Sequence, residues 1–127
     1  MNTMNEQVVS HIKHDINVVI GRHVMLLRKS RGLTGQDLAK KLRVSQQQVS
    51  RYERGVCKID MDTLIIVLMH LQVSLEFFFQ KVALSLKEDT PKLYGYYQSV
   101  FPSVTIPESD SHQYYLMKVD EGSHYFR

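Results

Sequence analysis

The sequence predicts an all-α domain of five helices followed by a C-terminal extension, and three observations predict it. Four segments open on residues suited to capping a helix, Thr34, Ser45, Asp60 and Ser74. Within each segment the apolar residues recur with a helical period. Between the segments that open at Thr34 and Ser45 only Arg43 and Val44 remain for the connection, so the second helix must turn sharply away from the first. That pair is a helix-turn-helix.

Taken in order, residues 1–14 form a lead-in with little periodicity beyond Val8, Val9 and Ile12, either a short helix or a frayed end. From Asp15 to Arg31 the chain reads as an amphipathic helix. Asp15 is its candidate cap, and Ile16, Val19, Ile20, Val24 and Leu27 keep the 3.6-residue spacing. Arg28, Lys29 and Arg31 fall in the last turn, where they complement the helix dipole, and Gly32 marks the stop. The same basic cluster suits phosphate contact.

Thr34 with Asp37, and Ser45 with Gln48, both have the spacing of capping boxes. Leu38, Ala39 and Leu42 give the first helix an inward stripe, and Val49 with Tyr52 does so for the second. Ala39 is small enough to let the two backbones approach. Left pointing outward on the second helix are Gln46, Gln47, Ser50, Arg51 and Arg54, a set without an acid. Amide and guanidinium groups can offer paired hydrogen bonds to adenine and guanine edges in a major groove. An ordinary solvated face is the plainer reading.

After Gly55, the residues VCKI lead to Asp60 and a strongly apolar helix carrying Met61, Leu64, Ile65, Val67, Leu68 and Leu71. Ser74 then opens the segment LEFFFQKVALSLK, making five helices by Lys87. Three consecutive rings, Phe77, Phe78 and Phe79, cannot all face one core at 100° per residue. At least one is expected to reach a partner surface or to pack under the C-terminal segment. Phe78, Phe79, Val82 and Leu86 form a candidate dimer interface, with the monomer core as the alternative. Residues 15–88 are accordingly read as the DNA-binding domain and 89–127 as an extension that serves dimerisation or packing. The extension is rich in aromatics, unlike a disordered tail. It is expected to fold back on the helices or on a second subunit, with a short strand over 112–119.

Bulk properties limit the possible functions. With 127 residues, 43% hydrophobic and 23% charged, the chain resembles one ordinary globular domain. No apolar run approaches the roughly 18 residues of a membrane span, and the N-terminus lacks the pattern of a secretory signal. The single cysteine, Cys57, permits no internal disulfide, and a cytoplasmic location is expected. Net charge is +3. Residues 15–79 carry ten Lys or Arg against six Asp or Glu, and residues 80–127 carry five against six. The positive balance lies in the helical segment, as suits a domain that faces phosphates.

Catalytic chemistry has no constellation here: neither a glycine-rich phosphate loop nor a nucleophile with its base stands out. His11 and His14 share a face at i, i+3 but lack a third ligand nearby, so no metal, cofactor or small-molecule ligand is expected. Cys57 has basic neighbours in Arg54 and Lys58, which leaves a reactive thiol conceivable beside the reading as a bystander.

The run LTGQDLAKKLRVSQQQVSRYERG, followed by Asp60, Thr63, Leu64 and LQVSLEFFF, resembles the Cro/CI-type, or XRE-type, helix-turn-helix family over about residues 18–79. More narrowly, SQQQVSRYERG resembles the MrpJ-like regulators encoded with fimbrial operons. The resemblance implies a five-helix bundle whose third helix enters the major groove, and a DNA-binding repressor of motility acting at the promoter of the flagellar master operon. By that resemblance Gln46, Gln47, Ser50 and Arg51 read or approach bases, with Arg54 and Lys58 nearer the backbone. Arg22, Arg28, Lys40, Arg43 and Ser45 complete the expected phosphate-binding set. A homodimer would place two such helices roughly 34 Å apart on double-stranded DNA. Two departures stand out. Gly35 occupies a position where the family usually has a phosphate-touching glutamine, and Arg43 one where the turn commonly has glycine. Arg43 is thereby expected to hold a left-handed backbone at a cost of about 1 kcal/mol, and its side chain can replace part of the lost contact. The rival reading is a protein-interaction module, or the antitoxin of a toxin-antitoxin pair, on the same fold.

Overall fold

The computed structural model describes residues 4–101. Among them are six helices and no strand: α1 (Glu6–Ser30), α2 (Gly35–Leu42), α3 (Gln46–Glu53), α4 (Met61–Leu71), α5 (Leu75–Asp89) and α6 (Pro91–Tyr97). One core joins them, with Phe78, Leu27, Leu38, Leu71, Leu86, Val24, Val49, Val67 and Val82 fully enclosed. No single helix among the described residues is long and apolar enough to cross a membrane.

The first helix corrects the sequence reading. It starts at Glu6, so Asp15 lies in mid-helix and caps nothing. The cap is Asn5, whose side chain accepts a hydrogen bond from the Val8 amide at 2.9 Å, with Glu6 in the first turn. Val8, Ile12, Ile16 and Val19 continue one helical period across position 15, a signal present in the sequence but cut at the wrong residue. His11 and His14 are exposed, and no group of three metal-ligating residues exists among those described.

Two turns share one construction. After α2, Arg43 takes φ 58° and ψ 42°, and the Val44 amide donates to the Ala39 carbonyl at 3.1 Å. After α4, Gln72 takes φ 60° and ψ 47°, and the Val73 amide donates to the Leu68 carbonyl at 3.1 Å. Each valine turns inward, and Ser45 or Ser74 then caps the next helix. The left-handed backbone expected at Arg43 is therefore found, and Gln72 repeats it. Asp60 stands at the start of α4 but makes no side-chain cap hydrogen bond. It is exposed, so water can serve the amides of that first turn.

Helix α5 packs its apolar face against α1, which overturns the expected dimer interface. Phe78, Val82 and Leu86 have no exposed surface, because α1 packs along the same face. Phe79 is half-buried, 5.5 Å from the Phe78 ring and 6.3 Å from Phe101. The spare ring thus packs under the residues after α5. Helix α6, which the sequence left unassigned, begins with Pro91 in its first turn. It folds back so that Tyr97 meets Tyr94, Phe101 and, through its hydroxyl, Thr90 at 3.1 Å. The strand expected at 112–119 lies outside the described residues, as do Tyr114, Tyr115, Tyr125 and Phe126.

Between α1 and α5 lies a buried polar patch. The His23 ring bonds Ser85 Oγ at 2.7 Å, and beside it Arg22 meets Asp89 at 2.6 Å near the surface. Burial holds the His23 pKa down from 6.5 to about 4, with Arg22 and Lys81 pushing the same way and Asp89 opposing. The folded state therefore holds the neutral ring. Its contribution to stability is complete above about pH 6.5 and is lost as pH falls from there towards 4. The urea midpoint is expected to drop between pH 7 and pH 4.5. His23→Gln, which keeps a polar partner for Ser85 but does not titrate, should drop less.

Candidate nucleic-acid interface

The surface formed by α2 and α3 is fixed first by its caps. Thr34 Oγ1 accepts from the Asp37 amide at 3.0 Å, and Asp37 Oδ2 accepts from the Thr34 amide at 2.8 Å, closing a full capping box. The bond from the Thr34 backbone, and then that from its hydroxyl, hold the Asp37 carboxyl below its usual pKa. Ser45 Oγ accepts from the Gln48 amide at 3.0 Å, starting α3. Leu38, Ala39 and Val49 are buried against one another, with Leu42, Val44 and Tyr52 partly covered around them.

That packing turns the other side of α3 outward. Gln46, Gln47, Ser50, Arg51 and Arg54 are all exposed, as the helical period requires once Val49 is inside. Arg54 Nε folds back along its own helix to the Ser50 carbonyl at 3.3 Å and the Ser50 hydroxyl at 3.2 Å, which links two of the candidate residues. Gly35 lies beside Gln46. A Cβ there would stand 3.8 Å from Gln46 Cγ, so the missing side chain leaves the start of α2 open next to the first residue of α3.

The opposite end of α3 is locked to α1. Arg28 Nε and Nη2 grip the Glu53 carboxylate at 2.6 and 3.0 Å, and Arg28 Nη1 donates to the Leu33 carbonyl at 2.8 Å. Both side chains are about nine-tenths buried. Gly21, in the middle of α1, lets the backbone of α3 lie directly on it: a Cβ at that position would be 2.2 Å from the Tyr52 carbonyl oxygen. Gly55 ends the helix at φ 75°, where its α-carbon side abuts Val18.

These contacts correct part of the expected phosphate set. Arg28 is committed to Glu53 and Leu33 and is too buried to meet a phosphate. Arg22 is exposed but paired with Asp89 at the end of α5. Lys40, Arg43, Ser45, Arg54 and Lys58 are exposed and lie on α2, its turn and α3 or just beyond. Arg31, another member of the basic cluster, donates through Nε to the Leu71 carbonyl at 2.8 Å and so ties the ends of α1 and α4. Sequence reasoning missed Gly21 and the Arg28–Glu53 pair. The signals were a glycine inside an otherwise good helix, which costs about 1 kcal/mol without a packing reason, and the lone acid of α3.

A family model described as helix-turn-helix matches residues 24–78, from the second half of α1 into α5. Within the matched residues α2 and α3 form the helix-turn-helix itself. Uncharacterised HTH-type transcriptional regulators of Rickettsia conorii and Rickettsia prowazekii are each 31% identical to the chain over 65 residues, 51% of its length. The match covers 52% and 50% of those proteins, so the chain spans about half the length of the curated relatives it matches. No solved structure matches. Arg28 and the α4–α5 turn fall inside the matched residues, whereas Gly21 and α6 lie outside them.

Proposed function

We propose that the chain is a sequence-specific DNA-binding transcriptional regulator of the XRE type that inserts α3 into the major groove. The observation that carries this is the outward face of α3: five polar side chains, none acidic, on a helix whose two ends are held by a cap and by a buried ion pair. Gln46, Gln47, Ser50 and Arg51 read bases, and Lys40, Arg43, Ser45, Arg54 and Lys58 hold phosphates. An eight-residue helix reads few base pairs, so the protein acts as a homodimer on a two-fold site. The names carried by the two rickettsial relatives accord with regulation of transcription. The resemblance of SQQQVSRYERG to MrpJ-like regulators narrows the role to repression of motility at the flagellar master promoter, in step with fimbrial expression.

A labelled promoter fragment titrated with the protein at several salt concentrations tests the DNA reading. Arg51→Ala is expected to cost about 1–3 kcal/mol and to relax base preference, whereas Lys58→Ala should weaken all sequences evenly and reduce the salt slope by about one. Parent-like binding of operator and random DNA by Arg51→Ala would remove that residue as a reader. Loss of all sequence preference in the parent would remove the regulator itself. A reporter on the flagellar promoter that does not respond to the protein would confine the failure to the motility role.

A further inference from the structure

Helix α4 carries more apolar surface than its core contacts require. Met61, Ile65 and Met69 recur at i, i+4 and i+8 and are 58, 44 and 52% exposed. Next to them Ile65, Leu68, Met69, Val73 and Leu75 line a shallow groove of about 200 Å³. With Ile66 and Leu75, each 42% exposed, the outward apolar side chains present on the order of 450 Å², more than half of the roughly 800 Å² that each partner gives to a standard interface.

We propose that this face of α4 is a two-fold dimer contact whose occupant is α4 of a second copy, a reading that rests on the homodimer proposed above and names its surface. Self-complementarity singles out the second copy. An isologous contact requires residues to pair across an axis. If two α4 helices run antiparallel with the axis midway between Ile65 and Ile66, Met61 of one copy comes level with Met69 of the other to within one residue's rise, about 1.5 Å. The neighbouring stripe obeys the same rule with charge. Asp62 and His70 are both exposed, and about the same axis they come level to within the same one-residue rise, so the acid at the start of one helix faces the imidazole at the end of the other. Apolar ends meet apolar ends, and an acid meets a base, only in this antiparallel register.

The full-length protein tests this by its mass in solution. The parent is expected to run at twice its 14.8 kDa. Ile65→Glu puts two carboxylates at the axis and should raise the dissociation constant at least ~100-fold, with helix content unchanged because the side chain is outside the core and the thermal midpoint losing its dependence on protein concentration. Asp62→Arg should weaken the dimer, and adding His70→Asp should restore it. In a Cys57→Ser background, Ile65→Cys should close a disulfide between copies on oxidation. A dimer indifferent to Ile65→Glu would overturn this face while leaving the two-fold reading of DNA intact. A parent that is monomeric both free and on the promoter fragment it shifts would overturn both. A monomer whose Ile65→Cys is shielded from a maleimide would assign the face to another segment of the same chain, which also overturns the proposal.

Discussion

Glu53→Ala is expected to lower the free energy of unfolding by about 3–5 kcal/mol, because it leaves the Arg28 guanidinium buried without its counter-charge. The fork of Arg28 closes on both carboxylate oxygens while its remaining arm holds the Leu33 carbonyl. One residue thus ties together α1, the loop before α2 and the end of α3. Arg28→Lys should also be costly, since an ammonium cannot reproduce two parallel bonds and a third to a carbonyl. Replacing both partners by apolar residues of similar size, Arg28→Met with Glu53→Leu, should recover most of the loss, because the expense lies in the unpaired charge. Urea denaturation of the three variants decides the matter. A cost below about 1 kcal/mol for Glu53→Ala would mean that the pair behaves like an exposed one.

Gly21→Ala is the second large effect. Alanine ordinarily favours a helix interior over glycine by about 1 kcal/mol, so local propensity alone predicts a gain. Tertiary contact reverses the sign. The new methyl would sit 2.2 Å from the Tyr52 carbonyl oxygen and 2.9 Å from that of Glu53, and both obstacles are backbone that no rotamer change can clear. Helix α3 must shift by about an ångström, which breaks the geometry of the Arg28–Glu53 fork as well as the packing. A net loss of about 2 kcal/mol or more is expected, together with weaker promoter binding, since α3 is the helix displaced. Gly95→Ala is the control. Nothing lies within 4 Å of that position, in the exposed part of α6, so the same substitution there should be neutral or slightly stabilising. Equal effects at the two glycines would remove the contact with α3 as the cause.

The two turns show how much a local pattern can specify. Both Leu42-Arg43-Val44-Ser45 and Leu71-Gln72-Val73-Ser74 place an inward valine and a capping serine after a left-handed residue. Those rules act over four or five residues, so the sequence displays them directly. Periodicity likewise exposed Gln46, Gln47, Ser50, Arg51 and Arg54 once Val49 was taken as core. Local signals mislead at the first helix: Asp15 is a residue type suited to a cap, yet the helix runs through it from a cap at Asn5.

Contacts between distant residues were a different matter. Phe78, Val82 and Leu86 have the same composition whether they meet α1 of their own chain or α5 of another, and only the packed bundle assigned them to the core. Arg28 sits in a basic last turn suited equally to a dipole, a phosphate or an acid, and its partner lies 25 residues away. Caps, periods and turn residues are energies settled within one or two turns of helix, and for that reason the sequence by itself determined α2 to α5, the tight turn and the polar outward face of α3. Which buried charge pairs, which glycine admits a neighbouring backbone and which apolar stripe stays uncovered depend on how those helices cross, and these the tertiary structure alone decided.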